Sequence, residues 1–327
     1  MRTGRRRRGS QSVREETITY FSGADRVVGT LYLPAAGGGP GPAVIQGPGW
    51  MGLRSAGLYR PYHQAFVDSG MAVLIIDYRG CGDSGGDPLS FSPLRQLEDL
   101  VNGVTYLTTR SEVDPDRIGV FGSGGTGGGN AVLLAASDPR VRCAVSQVPV
   151  ADGRDWLRRM RRGYEWEEFL QRLEADRRSR VATGEGELAH PQEIMIPTPE
   201  RRATNIKGDV DSRVPTLLPL SVAEEIISYQ PIEVVGRIAP RPLLIVAVEN
   251  DSVTPTDHAQ ALYDRAGAPK KLIIQRQTTH YAAYRRYGKT ITPLMTDWFR
   301  TGLGVAPMRA VEATMDKQEQ MHIQEVE

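Results

Sequence analysis

Short apolar runs alternate along this chain with amphipathic stretches of helical period. Runs rich in β-branched and aromatic residues occupy 16–21, 27–33, 43–46, 72–78, 118–121, 141–147, 243–248 and 272–275. The first two, joined by a turn at 22–26, read as a hairpin. From the third onward the runs are almost wholly apolar, as strands covered on both faces are. Helical patterns at 61–69, 94–109, 127–136, 257–266 and 290–300 separate them. Such alternation predicts an α/β fold: a mostly parallel eight-stranded sheet with helices on both faces.

The rhythm breaks once. Nearly a hundred residues separate the run ending at 147 from the run starting at 243, too many for a plain loop in a compact domain. They open with a charged, aromatic helical pattern over 155–180 and pass through a proline-containing stretch at 196–199. This predicts a helical cap insertion at 150–236, set over a core made of 15–149 and 237–301. Residues 1–14 carry Arg2, Arg5 to Arg8 and Arg14 with no apolar segment behind them, and read as a disordered basic arm rather than a secretory signal. Residues 302–327 are polar and read as a tail or a docking helix.

Composition narrows the function classes. Forty Lys and Arg against thirty-nine Asp and Glu leave a net charge of +1, which gives no overall field to recruit nucleic acid or an acidic membrane. No apolar run approaches the roughly 20 residues of a membrane-spanning helix. Two cysteines, Cys81 and Cys143, make neither a disulfide framework nor a four-cysteine zinc site, and fit a cytoplasmic setting. No cluster has metal-ligand spacing, and no cofactor is called for. A small-molecule substrate is the expected partner; a homo-oligomer is left open.

Four segments fall just past strand ends, where open α/β sheets place their ligands. Gln46-Gly47-Pro48-Gly49-Trp50 can free backbone N–H groups for a developing negative charge. Asp77 to Ser84 is mainly a structural turn; it contains Cys81, a possible nucleophile with nothing basic near it in sequence. Residues 118–130 run from strand to helix through Gly122-Ser123-Gly124-Gly125-Thr126-Gly127. Asp251 and then Thr279-His280-Tyr281 follow two consecutive late strands. The order is nucleophile, acid, base.

A strand-elbow-helix, an insertion, a late Asp and a last His together resemble the α/β-hydrolase fold, over residues of about 16 to 301. Asp77-Tyr78-Arg79-Gly80, Asp138-Pro139-Arg140-Val141 and Pro240-Arg241-Pro242-Leu243 are similar to dienelactone-hydrolase and acylaminoacyl-peptidase-like esterases. The resemblance implies hydrolysis of an ester, an amide or an activated C–C bond on a small carbonyl substrate.

The chain departs from the family at its centre, where the motif is G-x-S-x-G. Taking Ser123 as nucleophile puts Phe121 two residues earlier, where strand and helix almost touch. Shifting by one places small Gly122 and Thr126 on either side and makes the nucleophile position Gly124. Glycine adopts the strained elbow without penalty. This frame predicts that the family's nucleophile is missing, while Ser123 stays a candidate in the other frame. Asp251 and His280 then form a His-Asp dyad, with an oxyanion hole from Gly125 and from Gly49 and Trp50. A base without a nucleophile activates water or takes a proton from the substrate. Two alternatives follow: a lyase or decarboxylase-like enzyme using the dyad only, and a catalytically inactive ligand-binding member.

Gly122 to Gly127 also fits G-x-G-x-x-G, but a dinucleotide site wants an acid some 20 residues on, and Ser146 and Gln147 stand there. His63 and His258 read as packing or surface residues; His190, beside Pro191 in the insertion, is placed where it could reach the site. Trp166 and Phe169, three apart on the first insertion helix, are expected to face the pocket with Tyr281 and stack on an apolar or aromatic substrate.

Overall fold

The hairpin forms first along the chain: β1 (Arg14–Ser22) and β2 (Asp25–Leu33) pair antiparallel, from Arg14 opposite Leu33 to Ser22 opposite Asp25. The computed structural model describes residues 13–35, 39–203, 212–286, 288–305 and 323–326. Six parallel strands follow: β3 (Gly41–Gly47), β4 (Ala72–Asp77), β5 (Val113–Ser123), β6 (Val141–Gln147), β9 (Leu243–Val248) and β10 (Lys270–Gln275). A last strand, β11 (Ile323–Val326), runs antiparallel to β10. The order across the sheet is β1-β2-β4-β3-β5-β6-β9-β10-β11.

The sheet therefore has nine strands among the described residues, not eight. The extra strand lies at the end of the segment expected to be a tail or docking helix, 302–327, of which 306–322 fall outside the described residues. A four-residue polar segment, Ile-Gln-Glu-Val, carries too little pattern to read as a strand; it becomes one by completing the free edge of β10. The expected basic arm falls mostly outside the described residues, although Arg14 already belongs to β1, paired with Glu16 and Glu112.

Helices cover both faces. On one side α1 (Arg60–Asp68), α10 (His280–Arg286) and α11 (Gly288–Gly302) bury Tyr62, Phe66, Tyr284, Ile291 and Phe299 against Val44, Phe121 and Val246. On the other, α2 (Pro93–Thr108), α3 (Gly125–Ser137) and α9 (Thr256–Arg265) bury Leu100, Val104, Val132, Leu134 and Leu262 against Ile45, Val120 and Ile245. At about 25 cal/mol per Å² of apolar surface, these two layers are the main stabilising term.

Between β6 and β9 lie α4 (Gly153–Arg159), α5 (Gly163–Thr183), α6 (Pro191–Ile194), α7 (Pro199–Ala203) and α8 (Val222–Ile227). A two-residue antiparallel pair, β7 (Leu188–Ala189) with β8 (Leu218–Pro219), lies among them, and turns and irregular segments connect the described helices. The single helical pattern over 155–180 is divided into α4 and α5. Asp152 caps α4 through Asp155 N–H (3.0 Å), and the Arg162 N–H donates to the Glu165 carboxylate (2.7 Å) to start α5, which resets the chain between them. Trp156, Leu157, Leu173, Ile194 and Ile226 form the insertion's own apolar core, which reaches Leu53, Cys81 and Phe91 of the sheet unit. Among the described residues no helix is long and apolar enough to cross a membrane.

Candidate active site

Strand β5 ends at Ser123 and helix α3 begins at Gly125, so one residue makes the corner. That residue is Gly124, at φ 81° and ψ 157°, a region open to glycine and costly to other residues. The close approach lies two residues earlier: a Cβ on Gly122 would stand 2.0 Å from the Gly127 carbonyl oxygen and 2.7 Å from Ala131 Cβ. A Cβ on Gly124 itself would meet only Gly49 Cα at 3.4 Å and Tyr284 Oη at 3.8 Å.

Ser123 points away from this corner into the protein. It is fully buried, and its Oγ lies 2.7 Å from Tyr284 Oη and 3.3 Å from Gln147 Oε1. Gln147 Nε2 in turn donates to Tyr62 Oη (3.2 Å). Ser123 is thus the head of a buried polar row beneath the elbow.

The loop after β3 packs on the corner from above. A Cβ on Gly49 would stand 3.0 Å from the Ser123 carbonyl oxygen. The Gly49 N–H is already engaged, donating to Tyr59 Oη (3.2 Å). Among the described residues the Trp50 and Gly125 N–H groups have no protein acceptor. Of the expected oxyanion-hole members, Gly49 therefore shapes the corner, while Trp50 and Gly125 retain free donors.

Asp251 follows β9, where Asn250 turns the chain at φ 53°. Its Oδ1 accepts the Val253 and Thr254 N–H groups (2.7 and 3.0 Å). Its Oδ2 lies 2.7 Å from His280 Nδ1 and accepts Thr254 Oγ1–H (3.1 Å). Both side chains are nearly inaccessible, 1% and 4% exposed. Burial alone would raise the Asp251 pKa, but the His280 imidazole and the amide donors outweigh it and hold the carboxyl below its ordinary value. An ionised Asp251 fixes the proton on Nδ1 and leaves a lone pair on Nε2. Among the described residues Nε2 makes no hydrogen bond. His280 opens α10, with its ring 4.7 Å from the Tyr281 ring and 6.0 Å from the Tyr284 ring.

The insertion reaches this pair at two places. Trp156 Nε1 donates to the Val253 carbonyl (2.7 Å), and the Trp156 ring stands 2.8 Å from the Cβ position of Gly125. From α7, Glu200 accepts the Tyr281 N–H (2.9 Å) and Ser252 Oγ–H (3.3 Å). One carboxylate therefore joins the loop of Asp251 to the helix of His280. Neither Glu200 nor Tyr284 was singled out from the sequence. Tyr284 had a signal, because it lies one helical turn after His280; Glu200 had none.

Two expectations are corrected here. Trp166 and Phe169 are buried at 5% and 6% exposure, packed on each other at 6.1 Å, with Arg154 over the one ring and Arg161 over the other. They belong to the insertion's core; α5 turns its apolar face inward because its other face is charged. Gly49 donates to Tyr59 rather than toward a ligand. Tyr281 is half-buried beside His280 with Arg201 over its ring at 5.7 Å. Cys81 is buried, which pushes its thiol up to about 12; it is held in a turn where Asp77 accepts the Arg54 and Asp83 N–H groups (2.8 and 3.1 Å). Nearby, Arg79 and Asp99 form a buried pair. His63 and His258 pack under the helices, and His190 caps α6.

Fold and site define a hydrolase-like enzyme of the α/β-hydrolase superfamily. The family model described as X-Pro dipeptidyl-peptidase (S15 family) matches residues 22–282, and the chain belongs to that family. It is 29% identical over 268 residues to an uncharacterised 31.7 kDa protein in the traX-finO intergenic region of Escherichia coli, covering 80% of this chain and 91% of that one. It is 28% identical over 256 residues to acyltransferase drtE of Aspergillus calidoustus, covering 71% and 77%. Among solved structures, DcsB in complex with its substrate analogue superposes with a TM-score of 0.74 at 22% identity, covering 90% of this chain and all of that one. The α/β hydrolase GrgF from Penicillium gives 0.70 at 21%, covering 90% and 99%.

Proposed function

We propose that this protein hydrolyses an acyl compound, an ester or thioester of a small carboxylic acid, with the His280–Asp251 dyad as base and without a side-chain nucleophile. The observation that carries this reading is the 2.7 Å contact of Asp251 with His280 Nδ1, beside a corner whose residue is glycine. His280 Nε2 takes a proton from water, and the oxygen attacks the acyl carbon. The tetrahedral oxyanion draws on the Trp50 and Gly125 N–H groups. The imidazolium then returns its proton to the leaving oxygen or sulfur as the C–O or C–S bond breaks. The names thiohydrolase and acyltransferase among the relatives support an acyl substrate. The glycine corner also keeps the inactive binding member as a second reading, since the same geometry holds an acyl carbonyl without cleaving it.

The test is a panel of p-nitrophenyl esters and acyl thioesters with the parent and His280→Ala. A loss of about 10² to 10⁴-fold in kcat for the variant is expected, the size of a removed general base. A fluorophosphonate should label the parent weakly, and Gly124→Ser strongly. Stoichiometric labelling of the parent at Ser123 would restore an acyl-enzyme route, and no turnover by the parent on the whole panel favours the binding member.

A further inference from the structure

The buried polar row beneath the elbow ends at the place a nucleophile would occupy. Tyr284 Oη is 2.7 Å from Ser123 Oγ and 3.8 Å from the Cβ position of Gly124. The order of protons along the row is fixed by what each group can do. Gln147 Nε2 donates to Tyr62, so Gln147 Oε1, which can only accept, faces Ser123 at 3.3 Å. Ser123 has one proton and two acceptors within reach, Gln147 Oε1 at 3.3 Å and Tyr284 Oη at 2.7 Å; Gln147 Oε1 has no other donor among the described residues, so we assign the Ser123 proton to it and the phenol proton of Tyr284 to Ser123. The phenol proton of Tyr284 is thereby committed downward, and a lone pair of its oxygen is turned toward Gly124.

Resting on the dyad reading above, we infer that Tyr284 is a further catalytic residue. Its hydroxyl oxygen accepts one proton of the water that reacts at the Gly124 corner, while His280 Nε2 takes the other. Water then has both protons directed and a lone pair free for the acyl carbon. On attack, the proton facing His280 transfers to Nε2 and later leaves with the departing alcohol or thiol. The proton facing Tyr284 stays on the oxygen that becomes part of the product acid. Glycine at 124 is required for this arrangement, because a side chain there would take the place of the water.

Two surroundings support the role. The Tyr284 ring is packed in the apolar layer with Tyr62, Phe121 and Phe299, 6.4 Å from the Tyr62 ring, so the hydroxyl has little freedom to turn away. Burial, foremost, raises its pKa well above that of a free phenol, so it stays protonated through the neutral range and keeps the row in one order. Ser123 then acts as a positioning residue for Tyr284.

Tyr284→Phe keeps the ring and removes only the oxygen. With p-nitrophenyl acetate as probe, we expect kcat to fall tenfold or more with KM little changed, and Ser123→Ala to fall less. Crystal structures of parent and Tyr284→Phe should show an ordered water bonded to Tyr284 Oη and His280 Nε2 in the first and lost in the second. An unchanged kcat in Tyr284→Phe, or the same water on the same site without the hydroxyl, overturns the inference. The crystal comparison does not depend on turnover. If His280→Ala keeps full activity while Tyr284→Phe still loses the water, the dyad reading fails and the Tyr284 site stands.

Discussion

His63 on α1 is buried against Gln46 Oε1, with the Tyr32 and Tyr59 rings 5.4 and 6.3 Å away. Burial pushes its pKa down to about 3, so the folded chain keeps it neutral where an unfolded chain, titrating near 6.5, has taken the proton. Stability therefore drops as pH falls from about 6.5 toward 3, by about 1.4 kcal/mol per unit in the steep part. Asp251 acts in a lower window. Its lowered pKa contributes stability that is complete above the ordinary carboxylate range and is lost as pH falls through the lowered value. Urea unfolding between pH 7.5 and 4.5 should lose most of its pH slope in His63→Gln and keep it in Asp251→Asn. A parent with flat stability over this range would contradict the buried neutral histidine.

At the scale of elements, α7 matters more than its five residues suggest. Through Glu200 the insertion joins the Asp251 loop to the His280 helix. Glu200→Ala removes an acceptor worth about 1.5–3 kcal/mol when charged. The amide of Tyr281 should then exchange with solvent faster and kcat should fall, whereas Glu200→Gln keeps an acceptor oxygen and should recover most of both. Equal exchange in Ala and parent would show that α7 only rests on the site. Such a contact is invisible in the sequence, since 81 residues separate Glu200 from Tyr281. Asp251 and His280 were legible because each follows an apolar strand buried on both faces, which fixes where the next loop must emerge. The Gly124 corner was legible through sterics alone, from Phe121 against the small pair Gly122 and Thr126. The break between α4 and α5 was not, because its cap is made by Arg162, a residue with no capping preference.

For the whole molecule, the sheet closes at one edge by way of the last described residues. β11 covers β10 through four paired positions, with Lys271 bridged to Glu325 (2.6 Å). Ending the chain at residue 305 leaves unpaired the N–H and C=O groups of β10 that face away from β9, an edge onto which a second chain can add. Light scattering should show self-association of that shortened protein at concentrations where the parent is unchanged; identical behaviour would mean β11 is dispensable to the edge. β11 was missed in the sequence because its stability comes from its neighbour rather than from its own pattern.

The long insertion also sets a clock. Strands β3 to β6, the centre of the sheet, are synthesised before it, whereas β9 and β10 come after. At roughly 5–20 residues per second of translation, nearly a hundred intervening residues leave β6 without its neighbour for several seconds. During that time Val141, Cys143, Ala144 and Val145, all buried in the finished sheet, face whatever the nascent chain meets. Chains stalled before residue 243 should be more readily bound by chaperones and cut by protease than chains stalled after residue 286. Only with the second group of strands do Asp251 and His280 arrive, so the elbow, with its glycine corner, stands for those seconds as a shaped recess without that hydrogen-bonded pair beside it.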